Sequence, residues 1–97
     1  MSEFEKIVMQ LKKHKKRLSD IYGVREIGIF GSYRRGKQTK KSDLDILVSF
    51  YKPIDLFRFM DLEDEISSLT NKKTDLVMKS ALKPYIGKRI LSEVLYV

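Results

Sequence analysis

Apolar positions in the first 22 residues recur at the spacing of one helical face: Phe4, Ile7, Val8, Leu11, Leu18 and Ile21. Gly23 follows where such a helix stops. "VREIGIF" is short and β-branched and ends at Gly31, which predicts a first strand. "LDILVSF" is apolar through its middle, as a strand covered on both faces would be, and Pro53 ends it. The helical period returns from Asp55 to about Leu69, at Leu56, Phe59, Leu62, Ile66 and Leu69. Asn71-Lys72-Lys73 reads as a turn and "TDLVM" as a short third strand. After Pro84, Ile86, Ile90, Val94 and Val97 predict a C-terminal helix. The order helix, strand, short helix, strand, helix, strand, helix predicts an α/β (α+β) fold, a small mixed sheet of three or four strands with helices packed on it. No repeat, low-complexity tract or linker interrupts the pattern, and 97 residues suit a single domain, 1–97, with one modest core.

Composition removes several kinds of chemistry. There is no cysteine, hence no disulfide framework and no thiolate metal site, and a single histidine cannot build a zinc site of His ligands. His14 lies on the first apolar stripe, which favours a partly buried structural role over a catalytic one. The charged, amphipathic start is neither a signal peptide nor a membrane span, so a soluble cytoplasmic protein without membrane association is expected. The net charge of +7 is uneven. Residues 1–41 carry 12 Lys/Arg against 4 Asp/Glu, whereas residues 42–97 carry 8 against 9. That basic excess fits a well-solvated surface, with a phosphate-rich partner as the second reading.

The acidic half contains an unusual pair. Side chains at i and i+2 of a strand point the same way, roughly 6 to 7 Å apart. Asp43 and Asp45 therefore project together, with Asp45 already inside an apolar run, where a carboxylate is costly unless compensated. A divalent cation turns that repulsion into an advantage, and Mg²⁺ is commonly held by one or two carboxylates plus substrate phosphates. Asp75 opens the third strand in a similar context and joins the pair if that strand lies alongside.

A glycine turn lies upstream of the acids. In "FGSYRRG", Gly31-Ser32 stands directly after a strand and before a short helical segment closed by Gly36. Glycine lets backbone approach a phosphate, a helix N-terminus offers unpaired N–H groups, and Ser32 adds a hydroxyl. Gly-Ser at a turn is weak evidence alone. Followed eleven residues later by a carboxylate pair on the next strand, it suggests a site for a triphosphate and metal.

Together, "GSYRRG", "SDLDILV" and "TDLV" resemble the minimal nucleotidyltransferases of the DNA polymerase β-type superfamily, over essentially the whole chain. The resemblance implies transfer of AMP (or another NMP) from ATP or another NTP to a hydroxyl, with two Mg²⁺ ions. It implies that Gly31 and Ser32 bind the β and γ phosphates and that Asp43 and Asp45 ligate both metals. Asp75 would ligate the catalytic metal and help deprotonate the acceptor. Arg35 matches the family arginine and would serve the turn as well as the phosphate. Arg34 departs from the pattern, which usually has a small residue there.

Larger relatives carry extra domains for the acceptor, so a partner is expected to bring it here. The resemblance points to a HEPN-family toxin, with this chain as the antitoxin that adenylylates one of its tyrosines. A different class stays open: an interaction protein that neutralises its partner by contact. Tyr85, Arg89, Ser92 and Tyr96 would form a second face on the last helix, able to dock that partner or a second copy in a homodimer, or else simply to pack. RNA binding through Lys12, Lys13, Lys15 and Lys16 ranks last, because no RNA-recognition motif accompanies the charge.

Overall fold

In a computed structural model describing residues 1–97, Ser2 starts the first helix by accepting a hydrogen bond from the Glu5 N–H. Helix α1 (Glu3–Tyr22) buries Ile7, Leu11 and Leu18 and ends at Gly23, left-handed with φ 73°, whose N–H donates to the Ser19 carbonyl. His14 is partly buried, its Nδ1 2.9 Å from the Gln10 carbonyl, in keeping with a structural role. Ile21, at the end of the predicted stripe, is exposed.

Strand β1 (Val24–Phe30) leads into a one-turn helix α2 (Gly31–Arg35) closed by Gly36, and then into β2 (Leu44–Phe50). Helix α3 (Leu56–Thr70) is capped by Asp55 and ends at left-handed Asn71. Strand β3 (Thr74–Met78), a 3₁₀ turn (Lys79–Ala81), helix α4 (Pro84–Glu93) and strand β4 (Leu95–Tyr96) complete the chain. The sheet order is β3-β2-β1-β4, with β2 parallel to β3 and antiparallel to β1, and β1 antiparallel to β4.

The core lies between the sheet and the α1/α3 layer. Ile27 and Ile29 of β1, Leu44, Ile46 and Val48 of β2 and Leu76 of β3 meet Ile7, Leu11, Leu18, Leu62 and Ile66 there. Each such fully buried Leu or Ile contributes about 1.5–3 kcal/mol. Because strand side chains alternate, Asp45, Leu47 and Ser49 point to the opposite face. Leu47 is buried as well, which explains why β2 reads as apolar through its middle.

The predicted C-terminal helix is too long. It stops at Glu93, and Leu95 and Tyr96 pair instead with Ile29 and Gly28 while the Val97 N–H donates to the Ile27 carbonyl at 2.9 Å. The open edge of β1 offers backbone partners, and Val94, Tyr96 and Val97 are residues that suit a strand. Gly28 makes room for them: a Cβ there would sit 2.6 Å from Val94 Cγ2. The helix-period residues of α4 do not form a buried stripe either. Ile86 is exposed, Tyr85 is 95% exposed, and Gly87 is the buried residue of that helix. Tyr96 leaves the predicted helix face for the sheet, where Lys79 lies over its ring.

Candidate active site

The chain changes direction between β1 and α2 through Gly31, which has φ +75°. No other residue fits easily. A Cβ at this position would overlap the Asp45 carboxylate and lie 2.9 Å from its Cγ. Phe30, the last residue of β1, is paired with Asp45 in the ladder, so the turn and the acidic strand meet directly. Ser32 follows, half-buried, as the second residue of α2.

On the other side of β2, Asp45 is in register with Asp75 across the parallel β2–β3 ladder. Adjacent strands lie about 4.8 Å apart, and paired residues of a parallel ladder share a face, so the two carboxylates stand side by side. Asp43 precedes β2 by one residue and adds its charge to the same group. The expectation that β3 would lie beside β2 and bring Asp75 to the pair is met.

The electrostatics follow from this arrangement. Asp45 is pushed up to about 6, first by burial and then by the negative charges of Asp75 and Asp43, with Arg35 opposing the shift. The donor set is all oxygen, which suits Mg²⁺. Yet no three acidic or histidine side chains converge tightly enough to hold an ion unaided. An ion bound here would need oxygens from outside the protein to complete its shell. A cleft of about 850 Å³ opens beside Asp43, rimmed by Lys40, Lys41, Lys72 and Lys73.

A further carboxylate, Glu93, meets the turn, although no sequence motif marks it. The Gly31 N–H donates to Glu93 Oε2 at 2.6 Å, and Arg35 Nη1 donates to both of its carboxylate oxygens at 3.0 and 3.1 Å. Those two donors hold Glu93 below the usual carboxylate range despite a burial effect that raises it. Arg34, the departure in the turn, donates from Nε to the Glu93 backbone carbonyl at 2.9 Å. The sequence signal for Glu93 was slight: an acid in the last turn of a helix, where the dipole disfavours it. Of the basic run, Lys15 donates to the Val97 carbonyl and Lys16 pairs with Asp20, all on exposed surface. No helix is long and apolar enough to cross a membrane.

A glycine turn set against in-register aspartates on a mixed sheet defines a nucleotidyl-transfer fold. The nucleotidyltransferase domain model matches residues 11–97, and the chain belongs to that family; it is a nucleotidyltransferase, of the minimal type. It is similar to the protein adenylyltransferase MntA of Thermococcus cleftensis, with 48% identity over all of this chain and 98% of that protein. It is 53% identical, over 90% of each chain, to a Methanocaldococcus jannaschii protein provisionally named a protein adenylyltransferase. Among solved structures, one provisionally described as a minimal nucleotidyltransferase superposes with TM-score 0.74 and 25% identity, covering 92% of this chain and 93% of the other. The fold is also that of a structure of a tri-AMPylated Shewanella oneidensis HEPN toxin in complex with an MNT antitoxin, with TM-score 0.67, 22% identity, and 93% and 70% coverage.

Proposed function

We propose that residues 1–97 act as one catalytic domain that transfers AMP from ATP to a hydroxyl in a Mg²⁺-dependent reaction: the acceptor oxygen bonds to the α-phosphorus as the bond from that phosphorus to the β-phosphate oxygen breaks, and pyrophosphate leaves. The acceptor is a tyrosine of a HEPN-family protein, and the chain is the antitoxin of that pair. The observation that carries this reading is the in-register placement of Asp45 and Asp75 beside the Gly31-Ser32 turn. The relatives named as protein adenylyltransferases support AMP as the transferred group and a protein as the acceptor. The fold shared with an MNT antitoxin bound to an AMPylated HEPN toxin supports the partner.

In this reading Ser32 and the α2 N-terminus face the β and γ phosphates, and Arg35 adds a cation at the same turn. Asp43, Asp45 and Asp75 would hold the metal ions, which supply charge neutralisation and an activated acceptor oxygen in an in-line displacement. Asp75 is the exposed member of the trio, and in this reading it would accept the proton of the acceptor hydroxyl.

The test is transfer of label from α-labelled ATP with Mg²⁺ to the candidate HEPN protein. The expected result is labelled tyrosine, lost in Asp43→Asn/Asp45→Asn. Labelling that survives the double variant would remove the site assignment. Neutralisation of the partner without transfer would establish contact as the mode of action.

A further inference from the structure

The turn expected to cradle phosphate already holds one carboxylate. Glu93, the last residue of α4, accepts the Gly31 N–H and grips one nitrogen of Arg35, and its backbone carbonyl receives Arg34. All three ties run from the α2 turn, 58 to 62 residues away in sequence, to one residue. The Glu93 side chain is about one-fifth exposed, and Arg35 is nearly half exposed. Helix α4 otherwise makes few packing contacts: Gly87 is buried in it, while Tyr85, Ile86 and Leu91 are exposed. Such a helix end is not held by core packing, so its docking depends on these polar ties and on the short β4 pairing.

Two roles are open to a carboxylate so placed. It could compete with phosphate for the anion seat, or it could fix the turn and aim Arg35. The hydrogen-bond geometry favours the second. Only Nη1 of Arg35 is engaged, which leaves Nε and Nη2 free on an exposed edge for an incoming anion. Gly31 needs its unusual conformation held, because the Asp45 carboxylate lies against its Cα, and Phe30 supplies no side-chain cap to α2. Glu93 supplies that cap from another element.

We propose that Glu93 is a positioning residue for the nucleotide: its carboxylate occupies the Gly31 N–H and orients Arg35, so that Ser32 and the free edge of Arg35 contact the phosphates. This rests on the nucleotide reading above, and it moves Gly31 from phosphate donor to a purely conformational part. It also gives Arg34 a role, as the residue that docks the end of α4 on the turn.

The experiment is calorimetric titration of a non-hydrolysable ATP analogue with Mn²⁺ into wild type, Glu93→Gln, Glu93→Asp and Glu93→Ala, alongside thermal melts. Glu93→Gln retains an acceptor for Gly31 but loses the charge that holds Arg35. It is expected to melt near wild type yet bind about tenfold more weakly, the scale of one charge-assisted hydrogen bond. Glu93→Asp should recover part of the loss, and in an Arg35→Ala background Glu93→Gln should add little. Unchanged binding in folded Glu93→Gln and Glu93→Ala would overturn the proposal. So would tighter binding, which would make Glu93 a competitor for the anion seat. If wild type binds no analogue, the nucleotide reading fails and this inference falls with it.

Discussion

Gly31 and Asp45 are packed so closely that a single methyl group at position 31 would overlap the Asp45 carboxylate. The glycine belongs to the turn and the aspartate to the acidic strand, yet neither could be placed without the other. Gly31 is also left-handed, so substitution carries two penalties, one from the backbone and one from the collision. Gly31→Ala is expected to destabilise the protein by about 2–6 kcal/mol, from about 1–3 kcal/mol of strain and a similar overpacking cost. It should also displace Asp45 and reduce AMP transfer at least as much as it reduces stability. Urea denaturation paired with the labelling assay checks this; an unchanged midpoint would contradict the packing described here.

Asp45 gives a pH dependence whose sign can be worked out. Its pKa in the folded chain is raised to about 6, above the ordinary value of 3.8, so between these limits the folded state binds more protons than the unfolded one. Stability of the metal-free protein therefore falls as pH rises through that window. Asp45→Asn removes the penalty. Above pH 6 the variant should be more stable than wild type by on the order of 1 kcal/mol, after screening of a partly exposed group. The gain should vanish near pH 4, and transfer should be lost throughout. Melts in chelator from pH 4 to 8 check this: a difference that stays constant with pH would contradict a raised Asp45 pKa.

The edge strand depends on Gly28. Gly28→Val places side-chain atoms where Val94 and the β4 backbone now lie. The expected cost is about 1–3 kcal/mol, the usual range for overpacking. Hydrogen exchange should accelerate at Val97, whose amide is bonded to Ile27, and at Ile29, while α1 and α3 remain protected. Retained protection at Val97 would mean that β4 tolerates the side chain.

His14 should be dispensable for the chemistry. Its ring nitrogen meets a carbonyl one helical turn away, and it stands on α1, packed on the sheet face opposite the aspartates. His14→Ala is expected to cost about 1 kcal/mol or less, one net hydrogen bond, and to leave AMP transfer at the wild-type level. A large loss of transfer without unfolding would give the histidine a role that its position does not suggest.

Elements whose signals are local were legible in the sequence. Buried helix and strand positions are set by periodicity, so α1, β1, β2, α3 and β3 could be read from apolar spacing, and Gly23 and Asn71 sit where chain reversals need left-handed backbone. Asp45 could be singled out because a carboxylate in an apolar run is costly enough to call for an explanation, Asp43 because it stands two residues away on the same side, and Asp75 because it opens a strand in a similar context. What depends on partners distant in sequence emerged only from the packed fold. Val94 to Val97 leave the helical period because an unpaired edge of β1 satisfies their backbone groups. The β3-β2-β1-β4 order, set by pairing between strands far apart in sequence, put Asp75 in register with Asp45. Glu93 was barely marked for the same reason: an acid at a helix end does not announce that its carboxylate will meet a glycine amide and Arg35, or its backbone carbonyl Arg34, since those contacts exist only once α4 folds back onto the turn.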